Sequence, residues 1–175
     1  MSAPVLQIAE MPATLRDLLD SEYALLALLC VFVLEGAMLM YFMPSEAIVP
    51  VSIGLMGSTV TDVATIIGVA VIGATIGQVG LFVLAKRGGR EWLLEKRWFR
   101  VSDEALTRFD GWFDRWGPIV VPVSNALLFT RGMLTVPAGF AEMRTRTFVL
   151  LSAAGTVVFE TALAAIALGV IEVAF

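Results

Sequence analysis

The sequence contains no histidine and only one cysteine, Cys30, among its 175 residues. Without histidine the usual zinc and haem ligand sets cannot form, and neither can a Ser/His or Cys/His nucleophile pair. A single cysteine excludes an intrachain disulfide, and inside an apolar run we expect Cys30 to be a small buried side chain. We therefore expect no metal site, no cofactor and no enzyme activity.

Charge is also scarce over long stretches of the chain. The segments 23–43, 63–85 and 148–175 hold three charged residues in total. Hydrophobic residues make up 58% of the chain and the mean hydropathy is +0.86, whereas soluble domains contain about 45–50% apolar residues. Because about 20 apolar residues match the hydrocarbon thickness of a bilayer, the sequence predicts an all-α, polytopic membrane protein with one membrane domain over residues 23–175.

Residues 1–22 have a different character. They contain one basic residue, Arg16, and four acidic residues, so no basic leader precedes the first apolar run as it would in a signal peptide. Their apolar residues recur at roughly helical spacing: Val5, Ile8, Met11, Leu15, Leu18 and Leu19. This pattern predicts a short amphipathic helix on the membrane surface, with a partly ordered tail as the alternative.

Two apolar segments are interrupted by residues that a straight transmembrane helix rarely contains. Residues 23–57 are broken at Glu35-Gly36 and again at Pro44-Ser45-Glu46, and residues 118–140 carry three prolines, an asparagine and an arginine. Proline removes a backbone donor, and a broken helix at membrane depth persists only where protein or water satisfies the freed groups. We predict a re-entrant helical hairpin for each segment; a spanning helix followed by a shorter re-entrant loop is the alternative for residues 23–57.

Two further segments have no such breaks. Residues 63–85 and 148–170 are predicted to form continuous transmembrane helices, and the glycines of the first permit close helix contact. Eight of the twelve basic residues and all four tryptophans lie within residues 86–117. Aromatic and charged residues at helical spacing predict an interfacial amphipathic segment over residues 90–117. The positive-inside rule places residues 86–117 on the cytoplasmic side of a prokaryotic plasma membrane.

Each half of the chain is therefore predicted to be a broken hairpin followed by a continuous span. Because one full span separates the two hairpins, they are expected to enter the membrane from opposite faces. This arrangement is an inverted-topology repeat. Many secondary transporters with such repeats hold their substrate near the bilayer midplane, between the broken helices.

Ionisable residues within the predicted hairpins are the candidate site. A charged side chain at the bilayer centre costs about 2.5–3.5 kcal/mol on insertion scales, so such residues indicate function by default. Arg131 keeps its charge and can grip a phosphate or carboxylate with two parallel hydrogen bonds. Gly132 lets the backbone approach a ligand, and Asn125 offers amide donors. Glu35 and Glu46 are candidate acceptors or proton carriers.

A structural role is the alternative for each of these residues. Arg131 can pair internally with Glu35 or Glu46, and the pairing is compatible with ligand binding. Asn125 can serve as a hydrogen bonder inside a broken helix. Glu160, in the last span, can simply face a partner helix and is not included in the predicted site.

Three blocks of residues resemble the DedA family of membrane proteins, which is also described by its VTT or SNARE-associated domain. In chain order, the blocks are Glu35-Gly36 with Pro44-Ser45-Glu46, then Phe113-Asp114-Arg115-Trp116-Gly117, then Phe129-Thr130-Arg131 with Pro137-Ala138-Gly139, Met143, Phe148 and Gly155. The third block is the specific one. There the family usually has two arginines six residues apart, and in this sequence Asn125 stands at the first of those positions.

The resemblance implies lipid translocation. DedA-like proteins are associated with flipping polyprenyl phosphate carriers, such as undecaprenyl phosphate, across the bacterial membrane, and dependence on the proton motive force is implied for some members. By the resemblance, Glu35, Glu46 and Arg131 match functional positions of the family.

We therefore expect a flippase-like or scramblase-like transporter of a phosphate-bearing lipid. Membrane lipids are its expected partners, nucleic acids are not, and a homo-oligomer is compatible with the sequence. Two hypotheses compete with lipid transport. One is a small-ion or proton antiporter whose carboxylates are ion ligands, and the other is a non-transporting membrane scaffold whose charges only pair internally.

Overall fold

The structure, a computed structural model, describes residues 23–39, 45–95, 103–128 and 130–174. Every regular element in these ranges is helical, so the all-α prediction is confirmed for them. The amphipathic helix predicted for residues 1–22 lies outside the described residues.

Seven α-helices follow one another in the described part of the chain. They are α1 (Ala24–Gly36), α2 (Ile48–Met56), α3 (Val60–Glu95), α4 (Asp103–Trp116), α5 (Val120–Ala126), α6 (Thr135–Phe140) and α7 (Thr145–Ala174). Single turns of 3₁₀ helix precede α2, at Ser45–Ala47, and α5, at Gly117–Ile119. Five of the seven helices are short, and only α3 and α7 are long.

The helices α3 and α7 are long and apolar enough to cross a membrane. Their apolar stretches, Val60–Gly88 and Thr145–Gly169, have mean hydropathies of 2.2 and 1.9. Both helices extend beyond the spans predicted from sequence. The helix α3 starts early because Thr59 and Asp62 cap it reciprocally: the Thr59 hydroxyl donates to Oδ2 of Asp62 at 2.6 Å, and the Asp62 N–H donates to the Thr59 hydroxyl.

Large apolar side chains point away from the bundle on both long helices. Examples with more than half of their surface exposed are Ile72, Ile76, Leu150, Val158 and Ile166. Such a surface suits the hydrocarbon of a bilayer, in which outward-facing residues are apolar. With the lengths of the two helices, it supports a membrane protein.

Cys30 lies on the same outward side of α1 as two exposed leucines. It is exposed, as are Leu26 and Leu34, which lie one turn before and after it. The prediction that Cys30 is buried was therefore wrong. Apart from Glu35, α1 is apolar on every face, so its sequence does not distinguish a core-facing from an outward-facing position for Cys30.

Two hydrophobic clusters lie at opposite ends of the pair formed by α3 and α7. In the first, Ile66 of α3 meets Ala164 of α7 together with residues of α1 and α2. In the second, Phe82 of α3 stacks on Phe148 of α7 with ring centroids 4.3 Å apart. The early part of each helix thus meets the late part of the other, so the two helices run antiparallel. The buried polar residues of both helices lie between the clusters.

Two glycines of α3 allow α1 to pack directly against it. A Cβ atom on Gly77 would collide with the backbone carbonyl of Val33, and one on Gly73 would lie 2.7 Å from Cβ of Phe32. The backbones of the two helices therefore touch, in the manner of small-residue contacts between membrane helices. This contact fixes the position of the last turn of α1, which carries Glu35.

Replacing Gly77 with alanine is expected to destabilise the protein. The added methyl group has no space against the backbone of α1, and overpacking a tight contact costs about 1–3 kcal/mol. Gly80 is the matched control, because a Cβ there meets nothing within 4 Å. Thermal unfolding in detergent is expected to show a lower Tm for Gly77→Ala and an unchanged or slightly higher Tm for Gly80→Ala; equal shifts would contradict the close contact.

Candidate functional site

Arg131 lies in a tight turn after α5. Hydrogen bonds tie the residues before and after it, Thr130 and Gly132, to the end of that helix. On one side, the Thr130 hydroxyl donates to the Ser124 carbonyl at 3.2 Å, and the Ser124 hydroxyl donates to the Thr130 carbonyl in return. On the other side, the Gly132 N–H donates to Oδ1 of Asn125 at 3.1 Å. Gly132 has φ +72°, a conformation that glycine adopts without strain. Both neighbours of Arg131 are thus fixed.

A buried network of amides and a hydroxyl anchors Asn125 to both long helices. Its Nδ2 donates to Oε1 of Gln78 on α3 at 3.1 Å and to Oγ of Ser152 on α7 at 2.9 Å. The Ser152 hydroxyl also donates to Gln78 Oε1. All three residues are buried. Asn125 therefore connects the turn around Arg131 to the framework of the bundle.

The guanidinium of Arg131 lies between two carboxylates from different helices. Its Nε is 3.1 Å from Oε1 of Glu35 on α1, and its Nη2 donates to Oε2 of the same carboxylate at 3.3 Å. Nη2 is also 2.6 Å from Oε1 of Glu160 on α7. The guanidinium carbon lies 4.3 Å from the centroid of the Phe159 ring, within cation–π range. We call Glu35, Arg131 and Glu160 the ion cluster.

The ion cluster is almost completely shielded from solvent. The side chains of Glu35, Arg131 and Glu160 are 10%, 6% and 1% exposed. With all three groups ionised, the cluster has one positive and two negative charges. Buried charges are costly to desolvate unless each is well paired and hydrogen-bonded, so an excess carboxylate here requires an explanation.

Several polar atoms at or near the cluster have no hydrogen-bond partner within the described residues. They are Nε and Nη1 of Arg131, both carboxylate oxygens of Glu160, and the hydroxyls of Thr135 and Thr156. Nη2 of Arg131 lies at ion-pair distance from Oε1 of Glu160. Buried polar groups in native proteins are nearly always satisfied by protein, water or a ligand. The unpartnered donors and acceptors therefore indicate a site that can accommodate another polar group.

The structure brings some of the predicted site residues together and separates others. Arg131 and Glu35 are in direct contact. Glu46, in the 3₁₀ turn before α2, is within electrostatic range of Glu35. Asn125 reaches the cluster indirectly, through its hydrogen bond to the backbone of Gly132.

Glu160 is the member of the ion cluster that sequence reasoning left out. It lies within an otherwise continuous apolar helix, where a single carboxylate is ambiguous. A weak signal was present, because Ser152, Thr156 and Glu160 recur every four residues and therefore share one face of α7. All three are buried, so a polar stripe faces the core of the bundle.

Replacing Asn125 with alanine is expected to destabilise the turn that holds Arg131. The Gly132 N–H would lose its acceptor, and a buried group left unsatisfied costs about 1–3 kcal/mol. The matched control is Thr75→Val on α3, because the buried Thr75 hydroxyl has no hydrogen-bond partner within the described residues. We expect a lower Tm for Asn125→Ala only; an equal loss in both variants would show that the network does not anchor the turn.

Comparison with known proteins connects this geometry to a family. The family model of the VTT domain matches residues 43–169, which include Glu46, Asn125, Arg131 and Glu160. Glu35 lies just before the matched region.

Two curated relatives carry the same name. Undecaprenyl phosphate transporter A of Staphylococcus aureus (strain NCTC 8325 / PS 47) is 26% identical over 146 residues, which cover 80% of this chain and 70% of that protein. Undecaprenyl phosphate transporter A of Bacillus subtilis (strain 168) is 27% identical over 102 residues, which cover 58% of this chain and 48% of that protein. No solved structure matches the chain significantly.

Proposed function

Because the chain belongs to the VTT domain family, also called the DedA family, we propose that it is a flippase-like or scramblase-like transporter of a phosphate-bearing lipid. Its proposed substrate is a polyprenyl phosphate carrier, in keeping with the names of its two curated relatives. The observation that carries the proposal is a buried guanidinium donor, Nη1 of Arg131, for which the described residues provide no hydrogen-bond partner. A guanidinium is suited to phosphate because it presents planar pairs of N–H donors.

In this proposal Arg131 binds the phosphate directly. Asn125 and Gly132 belong to the substrate-binding group because they hold the turn that presents Arg131. Glu35 orients the guanidinium from the opposite side, and with Glu46 it carries protons or ions that couple transport to a gradient. The chemistry needs only binding and release, so no covalent step is required.

We further propose that the short helices form two re-entrant hairpins, α1 with α2 and α5 with α6. At 1.5 Å per residue, a helix of 13 residues such as α1 reaches about 20 Å, less than the hydrocarbon core of about 30 Å. Corresponding contacts recur in the two halves, since α1 packs on α3 and α5 packs on α7. These features support an inverted repeat with the ion cluster near the midplane of a multi-pass protein in the cell membrane. By the positive-inside rule, we also propose that residues 86–117 lie on the cytoplasmic side.

The cluster, as it stands, is closed, because its side chains are at most 10% exposed. A phosphate headgroup can therefore reach Arg131 only when the hairpins move apart. This closed state fits a transporter that exposes its site to one leaflet at a time, as transporters with opposed repeats do.

The proposed function is tested by lipid flux in proteoliposomes containing the purified chain. Undecaprenyl phosphate is incorporated into the vesicles, and its transfer between leaflets is followed with a phosphatase that cannot cross the membrane. We expect protein-dependent transfer of the phosphate lipid, and a much slower protein-dependent transfer of a fluorescent reporter lipid that has a neutral headgroup. No transfer above protein-free vesicles would refute the proposal.

The same vesicles separate the competing hypotheses. An ion or proton antiporter would dissipate an imposed ion gradient in the absence of the phosphate lipid, which dyes sensitive to pH and sodium report. A non-transporting scaffold would produce neither lipid transfer nor dissipation of the gradient.

A further inference from the structure

The two carboxylates of the ion cluster contact the Arg131 guanidinium in different ways. Glu35 lies along the edge formed by Nε and Nη2, with one carboxylate oxygen near each nitrogen. The other edge is formed by Nη1 and Nη2. Glu160 contacts Nη2 alone, and Nη1 has no hydrogen-bond partner within the described residues. Only the second edge can offer an incoming ligand two parallel hydrogen bonds without disturbing Glu35.

Glu160 is paired with the guanidinium at Nη2 alone, with its Oε1 at 2.6 Å. Its side chain is 1% exposed, yet neither of its carboxylate oxygens accepts a hydrogen bond from the described residues. A carboxylate that is buried with so little support is costly to keep ionised. Because Glu160 contacts the guanidinium at one nitrogen and Glu35 contacts it at two, Glu160 is the carboxylate that an incoming anion displaces more easily.

We propose that Glu160 is an internal counter-ion that competes with the substrate's phosphate for Arg131 and takes up a proton when the phosphate replaces it. In this exchange the ion pair between Glu160 and Nη2 breaks. Nη1 and Nη2 donate to two phosphate oxygens, and a proton from the aqueous phase binds a carboxylate oxygen of Glu160. The inference deepens the proposed function and rests on it.

The count of charges supports the exchange. With Glu35, Arg131 and Glu160 ionised, the cluster carries one net negative charge. A phosphate with one negative charge would add a second, uncompensated charge in a site that excludes water. If Glu160 takes one proton, the net charge is again minus one, so entry of the phosphate is favoured when a proton accompanies it.

Few other charged groups near Glu160 could take up the proton in its place. The helices α2, α5 and α6 contain no charged residue, and the charged residues of α3 lie near its two ends, at Asp62 and from Lys86 onward. The charged groups that face Glu160 are Arg131 and Glu35, and Glu46 is within electrostatic range of Glu35. Glu35 and Glu46 are therefore the other titratable groups of the site, and the comparison with Glu160→Gln separates Glu160 from them.

The test is the pH dependence of binding. The affinity of the full chain in lipid nanodiscs for undecaprenyl phosphate is measured from mildly acidic to mildly alkaline pH, for the wild type and for Glu160→Gln. The phosphate titrates on its own, and this contribution is common to both proteins and cancels in the ratio of their Kd values. Uptake of one proton by Glu160 makes the wild-type Kd rise relative to the variant by about tenfold per pH unit. At high pH the variant is expected to bind more tightly, because its competing anion is absent.

Glu104→Gln on α4 is the control, because Glu104 is an exposed carboxylate outside the proposed site, and it is expected to keep the wild-type pH dependence. An independent measurement uses no variant: adding a polyprenyl phosphodiester, whose single charge does not change near neutral pH, to the weakly buffered wild type should consume about one proton per lipid bound. Parallel pH profiles for wild type and Glu160→Gln, or no proton uptake, would overturn the role of Glu160 while leaving phosphate binding intact. If the wild type binds undecaprenyl phosphate no better than undecaprenol, the proposed function fails and this inference fails with it.

Discussion

The Arg131→Ala variant is expected to lose transport of undecaprenyl phosphate by about 100-fold or more. Two charge-assisted hydrogen bonds to the phosphate would disappear, each contributing about 1.5 kcal/mol or more, and about 1.4 kcal/mol corresponds to a factor of ten. Flux in proteoliposomes, normalised to the amount of folded protein, measures the effect. Transport at the wild-type rate would remove Arg131 from the site.

The same variant is also expected to fold poorly. Without Arg131, the buried carboxylates of Glu35 and Glu160 have no counter-ion in the cluster, and breaking a buried ion pair by removing one partner costs about 3–5 kcal/mol. Loss of transport by Arg131→Ala alone would therefore be ambiguous between binding and folding.

A variant with all three charges removed resolves the ambiguity. Changing Arg131, Glu35 and Glu160 together to glutamine leaves a neutral, hydrogen-bonding cluster of similar size. We expect its Tm to recover most of what Arg131→Ala loses, while transport stays absent. If this triple variant transports the lipid, the charges serve folding only, as a scaffold would require.

The Glu35→Ala variant is expected to reduce transport by about tenfold or more and to destabilise the protein less than Arg131→Ala does. Glu35→Ala leaves Arg131 paired with Glu160, so its cluster is neutral. The cluster of Arg131→Ala, in contrast, carries two negative charges. Transport falls because the guanidinium loses the carboxylate that orients it, and misplacing a binding group by about 1 Å can cost 100-fold. Flux and Tm are measured on the same preparations.

Glu35→Gln is the control for that prediction, since it keeps the shape and hydrogen-bonding capacity of the side chain. We expect Glu35→Gln to be more stable than Glu35→Ala. We also expect it to lose the coupling to a proton gradient that is proposed for Glu35. A greater loss of Tm in Glu35→Ala than in Arg131→Ala would contradict the charge balance inferred for the cluster.

Much of the framework could be predicted from local features of the sequence. The break at Glu35-Gly36 coincides with the end of α1. The prolines and polar residues of 118–140 coincide with two short helices and a turn. The continuous apolar segments became the long helices α3 and α7. Proline, glycine and apolar periodicity act within a few residues, so their effect is visible in sequence.

The contacts of Glu160 and Asn125 depend on distant parts of the chain and were not predictable in this way. Glu160 meets Arg131 only because α7 runs antiparallel to α3 and brings its polar stripe to the level of the turn after α5. Asn125 was predicted to bind the substrate, with an internal hydrogen bond as the alternative. Its amide contacts Gln78 and Ser152, which are 47 and 27 residues away in the chain. Packing of whole helices decides such pairings.

Direct binding tests the central claim, that Arg131 holds the phosphate of a lipid. Purified protein in nanodiscs is titrated with undecaprenyl phosphate and with undecaprenol, which has the same chain without the phosphate. We predict tight binding of the phosphate lipid by the wild type, weak binding of the alcohol, and equally weak binding of both by the variant with Arg131, Glu35 and Glu160 changed to glutamine. Equal affinity of the wild type for the two lipids, or phosphate-dependent binding that survives in the triple variant, would contradict the claim.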